Sequence, residues 1–357
     1  MEIVMRIEGI STPALIVDEK IYLENARKMK ELLCGKSLKL RPHYKSHKCA
    51  AIAREQIENG AIGMTCAKLD EAIDLCDSGI EDILIANQIV DKKKVARLAA
   101  LALDCRLTVC VDNESNIRDI ESAAALCGSL VHCLIEYEIG MERCGVSDKE
   151  EVARLARVIC ECPHLSFDGL QAYAGHISHE VSREERMSLT QANALKIKEL
   201  ISYLESQGIA VKTLSGGSTG TSLIKADMGL YTELQAGSYL FMDSTYRTLG
   251  LPFENSLFVL ATVVSVNDRI CVVDAGVKSC GVDQGMPECV GFSVSHIVAS
   301  EEHLQLHNPS KKFNVGDKVL LIPGHCCSTV NLHDKIYFVA DGKVKSRVAV
   351  SARGCSK

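Results

Sequence analysis

The chain has 357 residues, 47% of them hydrophobic and 24% charged, and 40 Lys and Arg stand against 46 Asp and Glu for a formal net charge of −6. The signs are interspersed without a basic stripe, which argues against a nucleic-acid partner. No run approaches the ~18 uninterrupted apolar residues of a membrane span, and Met1-Glu2-Ile3-Val4-Met5-Arg6 is too short and too charged for a signal peptide, so a cytoplasmic protein without a membrane partner is expected. The 17 cysteines are scattered and read as reduced, small apolar side chains rather than a disulfide framework.

Apolar runs and helical patterns alternate from residue 12 to about 240. A run at 11–18 precedes a helical pattern that reaches Leu33. Polar and apolar residues then alternate at 37–40, and Pro42 disfavours helix just ahead of it. Further runs fall at 61–66, 82–87, 107–112, 130–136, 167–173, 211–214 and 232–236. Near-continuous apolar runs suit strands buried on both faces. Eight of them between Leu38 and Ala236 predict an α/β fold, an eight-stranded TIM-like (β/α)8 barrel. After Asp243 the runs become long and β-branched: 256–266 and 269–274 around an Asn267-Asp268 turn, then 318–323, 335–340 and 348–350. A barrel of residues 12–243 is therefore expected, with a C-terminal β domain of 244–357 that also takes up 1–11. A strand is expected at 1–7.

Lys45 falls at or just past the end of the 37–40 strand, in Arg41-Pro42-His43-Tyr44-Lys45-Ser46-His47-Lys48. In a barrel that end carries the chemistry, and a lysine desolvated there has an amine free to form an imine. Taken alone, the octapeptide reads better as a solvated basic loop. Ser215-Gly216-Gly217-Ser218-Thr219-Gly220-Thr221 follows the seventh run. Glycines let the backbone approach an anion while amides and hydroxyls donate, and barrels commonly bind phosphate after strands seven and eight. Arg143, in a Gly-flanked loop after the fifth run, suits a phenolate or carboxylate oxygen, and reads equally as a surface ion pair. Tyr173, His176 and His179 follow the sixth run. His325 and Cys327 are two apart, so on an extended stretch they share a side. Imidazole and thiolate together suit zinc, although a free core cysteine is the commoner case.

In chain order, the octapeptide around Lys45, Gly140-Met141-Glu142-Arg143-Cys144-Gly145, Gln171-Ala172-Tyr173, Ser215-Gly216-Gly217-Ser218-Thr219, Leu234-Gln235-Ala236-Gly237-Ser238-Tyr239, Ser300-Glu301-Glu302-His303 and Pro323-Gly324-His325-Cys326-Cys327 resemble the D-threonine aldolase and D-serine dehydratase family. These are pyridoxal-phosphate enzymes of the alanine-racemase-like fold, and the resemblance runs from Ser11 to about Val350. It implies that Lys45 forms the Schiff base with pyridoxal 5'-phosphate, Arg143 faces its phenolic oxygen and Tyr173 lies against it. It further implies that Gly216, Gly217, Ser218 and Thr219 hold the phosphate with Tyr239 helping. His179 matches a histidine placed near the substrate, and His325 and Cys327 would ligate Zn2+ or another divalent metal. Family aldolases usually carry aspartate at the position of Cys327, and the zinc-dependent dehydratases carry cysteine.

The reading that follows is a lyase that converts a D-3-hydroxyamino acid (D-serine, D-threonine or 3-hydroxyaspartate type) to a 2-oxo acid and ammonia. The alternative is a D-threonine-type aldolase giving glycine and an aldehyde. Further alternatives are a non-catalytic pyridoxal-phosphate carrier, which would need no metal pair, and an amino-acid racemase, which would need a second base on the opposite cofactor face that these motifs do not identify. The resemblance also implies a homodimer.

Overall fold

Ahead of the first parallel strand come β1 (Ala14–Asp18) and the helix Glu19–Leu33. Residues 9–357 are described in this computed structural model, so the strand expected at 1–7 lies outside the described residues. Next come β2 (Lys39–Leu40), β3 (Met64–Cys66), β4 (Asp82–Ile85), β5 (Arg106–Val111), β6 (Val131–Glu136), β7 (Leu165–Ala172), β8 (Thr213–Gly216) and β9 (Glu233–Leu234). They pair in parallel in the order β2-β9-β8-β7-β6-β5-β4-β3. A parallel bridge from His43 to Thr65 joins the two ends of that order. This is the barrel expected from the eight apolar runs. Several of its helices start where side chains cap them: Asp91 accepts from the Lys93 and Lys94 amides, Asn113 from Asn116 and Ser182 from Glu185. Each such cap is worth about 1 kcal/mol relative to alanine.

Arg41, just after β2, is buried and grips Glu233 with two bonds of 2.9 and 2.8 Å, while a third of 2.7 Å goes to Asp82. Glu233 opens β9 and Asp82 opens β4, so one guanidinium ties three strands together just before Lys45. Replacing one partner of a buried ion pair leaves the other charge uncompensated and costs about 3–5 kcal/mol. Arg41→Met should therefore lose stability on that scale in urea unfolding; an unchanged midpoint would contradict the role given to this triad.

The remaining strands are β10 (Leu257–Val266), β11 (Ile270–Val273), β12 (Glu288–Cys289), β13 (His296–Ala299), β14 (Leu304–His307), β15 (Lys318–Ile322), β16 (Lys335–Ala340) and β17 (Lys343–Ala349). Their sheet runs β13-β14-β11-β10-β1-β16-β17, with β15 pairing both β10 and β12. The Asn267 amide bonds to the Ile270 carbonyl at 2.9 Å and closes the expected β10–β11 hairpin. β1 corrects the sequence expectation, which put residues 12–18 with the barrel. It lies antiparallel to β10 and parallel to β16, with Leu15 opposite both Val259 and Ile336. All five β1 residues are buried, as in any central strand covered on both faces, and such a run carries no information about its partner.

The chain divides into two compact units. The barrel unit comprises Lys30–Lys45, Ile52–Gly237 and Cys355–Lys357; the other takes Ser46–Ala51, Ser238–Gly354 and the chain up to Met29. The mostly antiparallel sheet packs around Ile10, Ala14, Ile16, Leu260, Leu320 and Val339. Among the described residues no helix is long and apolar enough to cross a membrane.

Candidate active site

Pro42 ends β2 and the chain enters the single turn Tyr44–Ser46, held by Tyr44 Oη donating to Asp74 Oδ2 at 2.5 Å. Lys45 is exposed on this turn, so the desolvation expected of it does not come from the barrel's own walls. Its side chain lines a cavity of about 180 Å3 together with His43, Asn87, Arg143, Tyr173 and Gln235. Two cations lie near the Tyr173 ring: Lys45 Nζ is 6.0 Å and Arg143 Cζ 5.7 Å from its centroid. Gln235 Nε2 donates to Gln171 Oε1 at 2.6 Å and to Ser215 Oγ at 2.9 Å. All three are buried, and a paired polar network of this kind rigidifies the strand ends around the cavity.

The loop carrying Arg143 is built around Glu138. One carboxylate oxygen accepts the amides of Gly140 (2.7 Å), Met141 and Glu142 (2.9 Å). Burial alone would raise the Glu138 carboxyl, but these three donors hold it below the usual carboxylate range. Gly145 has φ +102°, and a Cβ there would stand 2.8 Å from the Glu136 carbonyl oxygen, so glycine is required. Arg143 Nη2 lies 3.9 Å from Glu136 Oε1, and Gln88 donates to the other Glu136 oxygen at 2.6 Å. Burial pushes the Glu136 carboxyl up. Glu138→Ala frees three amides at once and loosens the arginine's loop. Cofactor titration of that variant should show affinity about tenfold weaker, the scale of one charge-assisted hydrogen bond; affinity within about twofold of wild type would contradict this.

After β8, Gly217 takes the left-handed φ of +81°, and a Cβ there would stand 2.8 Å from Leu234 and Lys225 side-chain carbons. Ser178 Oγ donates to Ser218 Oγ at 2.8 Å, while Thr219 Oγ1 is buried with no hydrogen-bond partner among the described residues. An orphaned hydroxyl on a tight, hydroxyl-rich glycine turn fits a phosphate oxygen. Together with the Lys45 amine and the Arg143 guanidinium near Tyr173, these residues fit pyridoxal phosphate. His179 follows Ser178 and so sits beside this glycine turn; it is not among the residues lining the cavity around Lys45.

Lys225 escaped the sequence reading. It is buried, its Nζ lies 3.3 Å from the Tyr231 ring centroid, and burial holds its pKa well below the ordinary value. A single lysine in Ser222-Leu223-Ile224-Lys225-Ala226 carries no signal of burial beyond its apolar neighbours.

The remaining expected residues belong to the other unit. Tyr239 is buried in the turn Ser238–Leu240, its ring centroid 5.8 Å from that of Phe253. His325 and Cys327 were expected on an extended stretch. His325 is extended, but Cys326–Val330 is a helical turn with His325 at its N-cap. The buried Asp243 carboxylate turns the chain by accepting the Cys326 amide at 3.0 Å, and Thr329 Oγ1 donates to the His325 carbonyl at 2.7 Å. The two side chains still meet: burial opposes protonation of His325, yet the Cys327 sulfur and the Asp283 carboxylate raise its pKa to about 9. Asp283 Oδ2 lies 2.7 Å from His325 Nδ1. Among the described residues no group of three or more His, Cys, Asp or Glu gathers as a ready-made metal site. The adjacent imidazole and thiol are two donors of the kind a thiophilic divalent ion takes, so the pair fits an open site completed by other ligands.

Residues 17–245 match the model of the alanine racemase N-terminal domain, and residues 256–339 match that of a serine dehydratase domain. The chain is 39% identical over 357 residues to the D-threonine aldolase of Arthrobacter sp, covering 98% of this chain and 94% of the relative. It is 37% identical to the 3-hydroxy-D-aspartate aldolase of Paracoccus denitrificans (strain Pd 1222), covering 97% and 92%. The crystal structure of a D-threonine aldolase from Filomicrobium marinum matches with a TM-score of 0.94 at 36% identity, over 98% of this chain and 97% of that one. A D-threo-3-hydroxyaspartate dehydratase of Delftia sp. (strain HT23) is more distant, at 26% identity over 90% of this chain and 92% of the relative. On these family matches and identities, the protein belongs to the D-threonine aldolase and D-serine dehydratase family of pyridoxal-phosphate-dependent lyases, built on the alanine-racemase fold.

Proposed function

We propose that the chain is a D-3-hydroxyamino acid lyase that eliminates the β-hydroxyl, giving a 2-oxo acid and ammonia. The observation that carries this is Cys327 beside His325. A thiolate and an imidazole select zinc over harder ions, and the family's dehydratases carry cysteine where its aldolases usually carry aspartate. When bound, pyridoxal phosphate supplies an electron sink for charge at Cα, and the metal supplies Lewis acidity at the β-oxygen.

The chain's own residues do the rest. Lys45 would hold the cofactor covalently, and its amine would be the group that moves the Cα proton. Arg143 would donate to the phenolic oxygen from the loop preset by Glu138, and the Tyr173 ring would lie against the cofactor. Gly216, Gly217, Ser218 and Thr219 would hold the phosphate, with Tyr239 as a further donor. His325 and Cys327 would hold the metal. His179, beside the glycine turn, is given a substrate-side role. A homodimer and a cytoplasmic location complete the proposal.

A second reading, cleavage of Cα–Cβ to glycine and an aldehyde, is favoured by relatives at 39% and 37% identity that are named aldolases. Product identification separates the two. With zinc-loaded enzyme and D-serine, D-threonine or D-3-hydroxyaspartate, elimination predicts 2-oxo acid and ammonia in equal amounts. Glycine as the main product, with manganese or magnesium as the best activator, would replace elimination with the aldolase reading.

A further inference from the structure

We infer that Asp283 is a positioning residue for His325. It holds the imidazole with its proton on Nδ1, so that Nε2 is the lone pair offered to a divalent metal beside Cys327. The inference rests on the proposed role of His325 and Cys327 as metal ligands.

The geometry is direct. Asp283 Oδ2 is 2.7 Å from His325 Nδ1, and its other oxygen accepts Ser328 Oγ at 2.5 Å. A carboxylate only accepts, so the ring nitrogen facing it carries the proton. Only Nε2 then remains for a metal. Carboxylates in this place fix both the tautomer and the ring angle of a metal-ligating histidine and raise its basicity.

The contact is also built in by the backbone. A Cβ on Gly281 would stand 2.1 Å from Ser328 Oγ, and one on Gly324 would stand 1.8 Å from the Gly285 carbonyl oxygen. Two glycines thus let the 281–285 loop and the 324–329 turn interlock. The Gly281 amide donates to Thr329 Oγ1 at 2.9 Å, and that hydroxyl donates to the His325 carbonyl at 2.7 Å. Thr245 Oγ1 bonds the Gly324 carbonyl at 3.0 Å from a third side. Asp283 is 52% exposed, so it adds little to the core. What its placement changes is the direction of one imidazole.

The test is zinc affinity, read by chelator competition on protein stripped of metal and reloaded, independently of turnover. Asp283→Ala should weaken zinc binding about 10- to 100-fold. Asp283→Asn keeps the shape and one weaker acceptor, so it should fall between, and it carries the test if the alanine variant fails to fold. Ser328→Ala removes the loop fastening without the acceptor and should change affinity far less. The metal-free melting temperature should be unchanged in all three. Wild-type affinity in both Asp283 variants, or an equal loss in Ser328→Ala, overturns the assignment to Asp283 alone. A wild-type protein that takes up no zinc or other divalent ion overturns the metal reading itself, and this inference with it.

Discussion

Lys45→Ala should lose turnover by about ten-thousand-fold or more, read as ammonia release from the D-3-hydroxyamino acid the wild type uses best. Of the residues that line the cavity at the strand ends, Lys45 is the one that carries an amine. It would serve twice, as the covalent holder of the cofactor and as the proton-moving group at Cα. General acid–base catalysis alone is worth about 10²–10⁴-fold, and losing the covalent attachment adds to that. Lys45 is exposed, so the truncation opens no cavity in the core and the variant should fold as wild type. Lys45→Arg keeps the positive charge near Tyr173 but cannot form an imine, and it should be as dead as the alanine variant. Retention of more than about a hundredth of wild-type turnover would place the chemistry elsewhere.

Exhaustive chelation should be the next largest effect, a loss of about a thousandfold or more while the cofactor stays bound. Hydroxide is a poor leaving group, and a Lewis acid on the departing oxygen is worth several kcal/mol, each ~1.4 kcal/mol being tenfold in rate. His325 and Cys327 are not among the residues lining the cavity around Lys45, so removing their metal should leave cofactor absorbance in place. Zinc should restore activity best. Cys327→Asp exchanges a soft ligand for a hard one; it should weaken zinc binding and depress elimination while leaving the cofactor spectrum close to wild type. Full activity after chelation, confirmed by metal analysis, would remove the metal from the reaction.

What could be read before the structure follows what each residue's signal depends on. The eight barrel strands were visible because burial on both faces imposes local apolar runs. Lys45 and the 216–219 turn were visible because strand ends and glycines mark themselves in the chain. β1 was misassigned because its five buried residues would suit the centre of either sheet. The helical turn after His325 was missed because it is set by Asp243, a carboxylate far back in the chain. Asp283 lies 42 residues from His325, and a contact that distant leaves no local periodicity. Glu138 is only two residues from Gly140, yet its three amide bonds arise from loop geometry rather than composition. The exposure of Lys45 was not legible for a related reason: a strand-end position does not say how far the surrounding loops close over it.

The most direct measurement is the site of covalent attachment. The wild-type protein, loaded with pyridoxal phosphate, is reduced with borohydride, digested, and its labelled peptide sequenced by mass spectrometry. Two lysines compete on physical grounds. Lys45 is open to the cavity beside Tyr173, whereas Lys225 is buried near Gly217 with a strongly lowered pKa. A single label on Lys45 is the result predicted here; a label on Lys225 or on any other lysine would contradict the site from which every other role has been argued.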